Sequence, residues 1–292
     1  MKKILLIGSH GQLGRAVAEN AARFDFEIVV TDREELDVTR YQELERKIKD
    51  VCPVILLNAS AYNATTRAEE EVEKAFLLNF EAVRSMAKIC RETGVLFVTY
   101  STDYVFDGAK GAPYSEEDYP NPLQVYGISK LAGEYAALNY HPDGALVIRT
   151  CGLYGGKEGS PVKGNVVLNL LKEAKDKEVI EVSSVEIASP TYASHLAEAS
   201  LKMLQIGVSP GVYHLVNEGY SSWSDFAKML FNLAELPVSV VPVARGERFS
   251  PIRRPKFSAL ANIKAKKLGI ALPTWQEGLA DYVTFLKDAE II

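Results

Sequence analysis

The chain has 292 residues, of which 47% are hydrophobic and 24% are charged, and its formal net charge is −5 at pH 7. A chain of this length can bury enough apolar surface to fold without disulfides or a structural metal. The slightly acidic charge, with both signs scattered along the sequence, predicts neither a nucleic-acid partner nor an anionic membrane partner.

Short apolar runs alternate with helical patterns through the first half of the chain. The runs are continuously hydrophobic, as strands covered on both faces are, and they span residues 4–7, 28–30, 54–57, 96–98 and 146–148. The helical patterns lie near residues 11–22, 41–50, 69–93 and 124–140. This alternation predicts an α/β fold with a Rossmann-type doubly wound parallel sheet, whose strand carboxyl ends share one ligand-binding edge.

The pattern changes after Cys151, where a glycine-rich stretch indicates a boundary. We predict an NAD(P)-binding domain over residues 1–151, rejoined by part of 186–217, and a smaller α/β substrate-binding region over 152–292. Within the smaller region, Ser222 is expected to cap a helix. Residues 238–243 resemble a strand and 275–286 a terminal helix.

The first predicted strand leads into the sequence Gly-Ser-His-Gly-Gln-Leu-Gly, a G-x-x-G-x-x-G variant of the dinucleotide fingerprint. Glycine permits a tight turn and lets the backbone approach a pyrophosphate, while the N-terminus of the following helix supplies amide donors and a favourable dipole. We therefore predict a nicotinamide cofactor at this loop. The residues expected to bind it are Gly8, His10, Gly11, Gln12, Leu13 and Gly14.

Two adjacent residues after the second strand point to opposite cofactors. Asp32 is placed to accept hydrogen bonds from the adenosine ribose, which favours NADH, whereas Arg33 can pair with a 2′-phosphate, which favours NADPH. The choice between the two stays open at this point. Asn58, Ala59 and Ser60 end the third strand on the same sheet edge, where small residues leave room for the cofactor.

Tyr126 and Lys130 form a Y-x-x-x-K pair in a helix-compatible segment between the fourth and fifth strands. The i, i+4 spacing puts both side chains on one helix face. A phenol titrates near pH 10, and a nearby ammonium is expected to lower that pKa toward neutrality, so that the phenol can exchange a proton. The lysine can also hold the nicotinamide ribose. Thr102, at the end of the fourth strand, is the third predicted catalytic residue, orienting the substrate carbonyl.

Together these motifs resemble the extended short-chain dehydrogenases/reductases, and more closely the dTDP-4-dehydrorhamnose reductase family over nearly the whole chain. Residues 101–108, 126–134, 189–191 and 253–255 carry the resemblance. It implies that NADPH or NADH reduces C4 of a dTDP-linked 4-keto-6-deoxy sugar, and that Asp37 and Val38 lie near the adenine. The substrate-binding residues it implies are Thr102, Asp103, Tyr104, Val105, Phe106, Asn165 and Arg254.

The sequence departs from the family pattern at three places. Cys151 and Gly152 stand where the family usually has Ser-Trp, with the tryptophan beside the sugar, so the pocket wall is expected to be open there. Ala16 and Ser194 replace two glutamates that bind magnesium in some members, so no such metal site is expected. Residues 65–69 also lack one acidic residue of the family pattern.

Three functions stay open from the sequence. The first is a sugar-nucleotide 4-ketoreductase, and the second is an extended-family oxidoreductase acting on another nucleotide-linked sugar, which Gly152 makes plausible. The third is a non-catalytic, NADP-binding regulatory subunit, because the β subunit of methionine adenosyltransferase resembles this family closely. The complete set of Thr102, Tyr126 and Lys130 favours an enzyme.

The cysteines and the N-terminus bear on the compartment. Cys52, Cys90 and Cys151 are a sparse set without metal-ligand spacing, typical of free thiols in a reducing environment. The apolar run at residues 4–7 is too short for a signal peptide, and no stretch approaches the roughly 20 apolar residues that span a bilayer. We expect a cytoplasmic protein whose partner is a small nucleotide sugar, with no nucleic acid and no membrane. A homodimer is one assembly compatible with this.

Overall fold

The structure, a computed structural model, describes residues 1–31, 34–159, 164–244 and 252–292. The strands in chain order are β1 (Lys2–Ile7), β2 (Phe26–Thr31), β3 (Ile55–Asn58), β4 (Leu96–Thr102), β5 (Ala145–Thr150), β6 (Leu153–Tyr154), β7 (Val179–Ser183), β8 (Ile187–Ala188), β9 (Thr191–Tyr192), β10 (Gly211–His214), β11 (Ser221–Ser222) and β12 (Ser239–Val243). The helices are α1 (Gln12–Asn20), α2 (Tyr41–Val51), α3 (Val72–Phe76), α4 (Ala82–Thr93), α5 (Val125–Tyr140), α6 (Val166–Glu173), α7 (Ala193–Ile206), α8 (Trp223–Leu233), α9 (Ile263–Lys267) and α10 (Trp275–Asp288).

A six-stranded parallel sheet in the order β10-β5-β4-β3-β1-β2 organises the chain. All five strands predicted from the apolar runs are present, so the predicted doubly wound fold is confirmed. The strand order reverses between β1 and β3, which pair in register from Ile4 with Ile55 to Ile7 with Asn58. The crevice at such a reversal is where parallel α/β sheets bind ligands.

Helices cover both faces of the sheet, which explains why the central strands have hydrophobic residues on both faces. Ile4 and Leu6 of β1 pack in a buried cluster with residues of α1 and α7. Leu5 and Ile7, on the opposite face, pack with residues of α2 and α4. Because successive strand side chains point to opposite faces, both sets must be apolar.

The segment after β5 builds a second cluster and then returns to the sheet. Residues of α6, α8 and α10 pack together around the fully buried Tyr154. In between, α7 packs against α1, and β10 pairs with β5. The predicted strand and terminal helix correspond to β12 and α10, and the Ser222 hydroxyl accepts a hydrogen bond from the Asp225 amide at the start of α8. The domain boundary stays a prediction.

The helix predicted over residues 69–93 is interrupted. Between α3 and α4 the chain forms a π-helical segment, Leu77–Glu81, which carries the buried Asn79. Its backbone passes so close to α5 that a Cβ on Gly133 would lie 2.1 Å from the Asn79 carbonyl oxygen. A periodicity of polar and apolar residues cannot reveal one extra residue in a turn. Among the described residues, no helix has the length and apolarity needed to cross a membrane.

A buried ion pair fastens α5 to the sheet. Arg149 of β5 donates to Glu134 of α5 through Nε at 2.9 Å and Nη2 at 2.6 Å, and the two side chains are 5% and 2% exposed. The Arg149 guanidinium also lies 5.2 Å from the centre of the Phe106 ring. On the next strand, burial and the Arg149 charge lower the pKa of His214 to about 3, which keeps that imidazole neutral.

We predict that removing one member of this pair is far more damaging than removing both. Glu134→Gln or Arg149→Met should each cost about 3–5 kcal/mol, since the remaining group is left buried without its partner. The double variant Glu134→Leu/Arg149→Met should recover much of that loss. The measurement is the free energy of unfolding in urea.

The matched control is Lys177→Ala, which removes the exposed i, i+4 pair with Glu173, whose N–O distance is also 2.6 Å. Exposed pairs contribute about 0.3–0.5 kcal/mol. Single Glu134 or Arg149 variants as mild as this control would contradict a fastening role.

Candidate active site

The glycines of the loop between β1 and α1 differ in how closely the surrounding backbone approaches them. Gly8 has φ +81°, and a Cβ there would lie 2.7 Å from the Ser60 amide nitrogen. A Cβ on Gly14 would lie 2.1 Å from the Gly8 carbonyl oxygen. Gly11 has ordinary extended dihedrals, and its Cβ would meet only the Gly8 carbonyl oxygen, at 3.4 Å. The fold therefore requires glycine at positions 8 and 14, whereas at position 11 it does not.

The start of α1 has unpaired polar groups that suit a ligand. Gly11 is the N-cap and no side chain caps the helix, so its first amides are available as donors. The Gln12 side-chain oxygen is buried without a hydrogen-bond partner. Such orphaned groups are rare in folded proteins and call for a partner. The free amides thus suit the pyrophosphate of a dinucleotide, whereas the Gln12 oxygen can only accept and suits a hydroxyl donor of a ligand.

Asn58 shapes the turn that faces this loop. Its Oδ1 accepts from the Ser60 amide at 3.0 Å and from the Ser60 hydroxyl at 2.6 Å, and its Nδ2 donates to the Thr99 hydroxyl at 3.3 Å. The buried Asn58 therefore orders the turn through protein contacts. Ala59 and Ser60 are half-buried and lie directly against Gly8.

The other residues predicted to bind the cofactor differ in their burial and in their contacts. Leu13 and Val38 pack in the hydrophobic clusters on opposite faces of the sheet, so their side chains support the site rather than line it. His10 is exposed beside the loop. Asp37 accepts from the Thr39 amide and hydroxyl at 3.0 and 2.7 Å. The predictions for Asp32 and Arg33 lie outside the described residues.

Thr102 and Tyr126 come together at the carboxyl end of β4. The Thr102 hydroxyl accepts from the Tyr104 amide at 3.2 Å and donates to Asp103 Oδ1 at 3.1 Å. Burial raises the pKa of Tyr126 to about 12; the Thr102 hydroxyl acts in the opposite direction and the Asp103 charge in the same one. Tyr126 is thus a protonated phenol at neutral pH.

Lys130 is buried one turn further along α5. Its Nζ donates to the Tyr100 carbonyl oxygen at 2.6 Å, and burial lowers its pKa to about 8 against the opposing charge of Glu134. The expectation that a nearby ammonium lowers the Tyr126 pKa is therefore corrected. Burial dominates at Tyr126, and the Lys130 ammonium is directed to a carbonyl of β4.

Tyr104 contacts both Tyr126 and Arg254, and Asp103 precedes it in the chain. The Tyr104 ring meets the Tyr126 ring edge-on, with centroids 6.1 Å apart. Arg254 Nη1 donates to the Tyr104 hydroxyl at 3.4 Å. Burial raises the pKa of Asp103, while hydrogen bonds from Ser258 and from other neighbours lower it. These predicted substrate-binding side chains share one place in the fold.

Three predicted substrate-binding residues have other contacts. The Val105 and Phe106 side chains are fully buried in a hydrophobic cluster, and Phe106 stacks on Tyr114. The Asn165 side chain accepts from the Leu168 amide at the start of α6 and donates to the Tyr282 hydroxyl at 3.0 Å. These side chains are engaged in packing and capping contacts within the protein, and the substrate contacts expected of the three residues stay a prediction.

Sequence reasoning missed Asn79, which joins the two halves of the site. Its Oδ1 accepts from the Tyr62 amide at 2.9 Å, and its Nδ2 donates to the Tyr62 carbonyl at 3.0 Å and to the Ser129 hydroxyl at 3.0 Å. Ser129 lies between Tyr126 and Lys130 on α5. Asn79 therefore ties the loop after β3 to the helix with the Y-x-x-x-K pair, and nothing in the sequence pattern signals it.

At the two positions where the family resemblance led us to expect no magnesium ligands, the side chains make protein contacts. Ala16 is buried in the core, and the Ser194 hydroxyl accepts from Asn20 Nδ2 at 3.4 Å. In the part of the chain that the structure describes, no group of three or more His, Cys, Asp or Glu residues is arranged to hold a metal ion.

Comparison with known proteins finds similar sequences and structures over almost the whole chain. Residues 1–287 match the family described as the RmlD substrate binding domain. A dTDP-4-dehydrorhamnose reductase of Burkholderia thailandensis is 34% identical over 291 residues, covering 94% of this chain and 95% of the relative. The spore coat polysaccharide biosynthesis protein SpsK of Bacillus subtilis is 31% identical over 283 residues, covering 97% of each.

Among solved structures, that of dTDP-4-dehydrorhamnose reductase from Bacillus anthracis in complex with NADP is similar over almost the whole chain. The TM-score is 0.90 at 32% identity, with 97% of this chain and 99% of the other covered. The site described above therefore lies in a fold shared with an NADP-bound reductase.

We expect the variant Gly11→Val to weaken cofactor binding without impairing folding. Because the only atom near its Cβ is at 3.4 Å, the variant should keep a midpoint of thermal unfolding within a few degrees of the unmodified protein. Its affinity for NADPH should fall at least about tenfold, since a side chain here prevents backbone approach to the pyrophosphate. Fluorescence titration with NADPH is the measurement.

Gly14→Ala is the control, because its Cβ clashes with backbone at 2.1 Å and should therefore destabilise the fold itself. Undiminished NADPH binding in a folded Gly11→Val protein would remove the loop from the cofactor site.

Proposed function

The chain belongs to the family of the RmlD substrate binding domain, and we propose that it reduces the C4 keto group of a dTDP-4-keto-6-deoxy sugar, converting dTDP-4-dehydrorhamnose to dTDP-L-rhamnose with NADPH or NADH. The observation that carries this proposal is the protonated Tyr126 phenol beside Thr102 and Tyr104, at the carboxyl end of the strands. A carbonyl bound there meets a proton donor on a doubly wound, dinucleotide-binding sheet.

The residues present fit the cofactor. The backbone of Gly8 and Gly11 and the first amides of α1 would hold the pyrophosphate, with Ala59 and Ser60 on the facing turn. Lys130 would hold the nicotinamide ribose. When bound, the reduced nicotinamide supplies the hydride for the keto carbon.

Tyr126 completes the reduction by donating its proton to the carbonyl oxygen as negative charge develops there. Its raised pKa keeps it protonated in the ground state. Thr102 would turn its hydroxyl proton from Asp103 to the same oxygen, which would fix the carbonyl relative to the phenol. A proton from solvent then restores the phenol.

Two further properties belong to the proposal. A cytoplasmic location fits it, since all three cysteines are free thiols, as is usual in a reducing compartment. A homodimer stays a prediction.

NADPH oxidation with dTDP-4-dehydrorhamnose tests the activity, and Tyr126→Phe tests the proton donor. Loss of a general acid typically lowers the rate about 10²–10⁴-fold. We therefore expect kcat to fall by that factor while NADPH affinity stays unchanged, because the ring remains. Tyr135→Phe on the same helix is the control, as that ring is 54% exposed, and it should be fully active.

A near-normal rate in Tyr126→Phe would overturn the donor assignment. If the intact protein reduced no nucleotide-linked 4-keto sugar, the regulatory-subunit alternative would replace the enzyme, and a change in the rate of a methionine adenosyltransferase on adding this protein would then identify it.

The pH profile reports on Lys130. With its pKa lowered to about 8, the side chain is charged below that pH and neutral above it, whereas Tyr126 stays protonated through this range. In the direction of reduction, kcat/KM should therefore decline as the pH rises through about 8. Lys130→Arg, which stays charged, should be slower but lack this decline. If kcat/KM of Lys130→Arg declined at high pH as it does in the unmodified protein, Lys130 would be excluded as the cause of that decline.

A further inference from the structure

The wall beside Gly152 is occupied, contrary to the open pocket expected from the sequence. Gly152 lies two residues beyond Thr150, which pairs with Thr102 across β4 and β5. It has φ +54°, and a Cβ there would lie 3.0 Å from Trp223 Cη2 and 3.3 Å from the Pro190 Cα. The Trp223 indole therefore takes the space into which a side chain at position 152 would project.

Several contacts hold the indole in this position. Trp223 is the first residue of α8, directly after the Ser222 N-cap. Its ring packs edge-on against Phe226, with centroids 5.6 Å apart. It bridges two hydrophobic clusters, that of α8 and α10 and that of Phe106 and Cys151. Trp223 nevertheless stays only half-buried, so the contacts within the protein leave part of this residue uncovered.

The neighbouring chain connects Trp223 to the catalytic end of the sheet. Ser222 pairs with Ile187 of β8. Ile187 in turn exchanges backbone hydrogen bonds of 2.8 Å with Lys256 and Ser258, in the segment that includes Arg254. Arg254 reaches Tyr104 beyond β4, and Trp223 reaches Gly152 beyond β5. These connected segments therefore cover the carboxyl ends of the two strands that flank Tyr126.

We propose that Trp223 forms the apolar wall of the sugar subsite and selects a nucleotide sugar with a methyl group at C6. This inference rests on the proposed function. An uncovered aromatic ring favours burial of a methyl group, whereas a C6 hydroxyl pressed against it would lose water without gaining a hydrogen-bond partner. The wall thus comes from α8 rather than from the residue after Cys151.

The test compares two ligands that differ only at C6, dTDP-6-deoxy-D-glucose and dTDP-D-glucose, with dTDP as the reference, in calorimetric titrations. The unmodified protein should bind the 6-deoxy ligand more tightly. Trp223→Leu should weaken the 6-deoxy ligand about tenfold and abolish the preference, while the affinities for dTDP and NADPH stay unchanged.

Trp275→Leu is a matched control within the same chain. Trp275 is also the first residue of its helix and also packs on Phe226, with centroids 5.9 Å apart, but it is 8% exposed and buried in the core. It should lower stability and leave the preference for the 6-deoxy ligand intact.

Tryptophan fluorescence provides a second test, in which each tryptophan is replaced by another aromatic residue rather than by leucine. The chain has only two tryptophans, so Trp275→Phe leaves Trp223 as the single reporter and Trp223→Phe leaves Trp275. Saturating dTDP-6-deoxy-D-glucose should alter the emission of the first variant, and dTDP alone should not. The emission of the second variant should stay constant.

The outcomes separate the two proposals. A preserved C6 preference in folded Trp223→Leu, or unchanged Trp223 emission at saturation, overturns the wall while leaving the reductase proposal intact. If the unmodified protein neither reduces dTDP-4-dehydrorhamnose nor binds a dTDP sugar more tightly than dTDP, the proposed function fails and the wall fails with it.

Discussion

The buried pair of Glu134 and Arg149 is the contact on which the geometry of the site depends. It joins α5 to β5 in the protein interior, where a bidentate arrangement permits little displacement. Because Tyr126 and Lys130 are on the same helix as Glu134, the pair also sets where the phenol and the ammonium stand. The spacing 126, 130, 134 places all three on one face of α5, and that face is the one turned to the sheet.

Burial on this face has opposite consequences for the two catalytic groups. It disfavours the charged form of each, so the pKa of Tyr126 rises to about 12 and that of Lys130 falls to about 8. The phenol therefore holds the proton that a reductase must deliver, but the raised pKa also makes it a weaker acid until charge develops on the bound carbonyl oxygen. Glu134 opposes the effect at Lys130 and so helps the ammonium to persist near neutral pH.

The sequence predicted those parts of the structure in which a residue type has a single physical reason to be present. Strands covered on both faces must be apolar throughout, and a glycine loop before a helix suits a phosphate, so the sheet and the cofactor edge were predictable. The contacts of Asn79 and Phe106 were not, because a π-helical turn and a buried aromatic ring leave no periodic signal. Motif resemblance placed Phe106 in the substrate pocket, although its ring belongs to the core.

The glycines of this chain are required for different reasons, and only the three-dimensional surroundings of each one distinguish them. Gly8 and Gly14 are required by close backbone contacts, whereas the protein leaves space at Gly11 that only a ligand would need. Gly152 has a third reason, since the space beside it belongs to a ring from another part of the chain. The missing tryptophan at position 152 suggested an open pocket because sequence comparison takes one position at a time. A binding wall is a surface, and distant residues can supply the same surface.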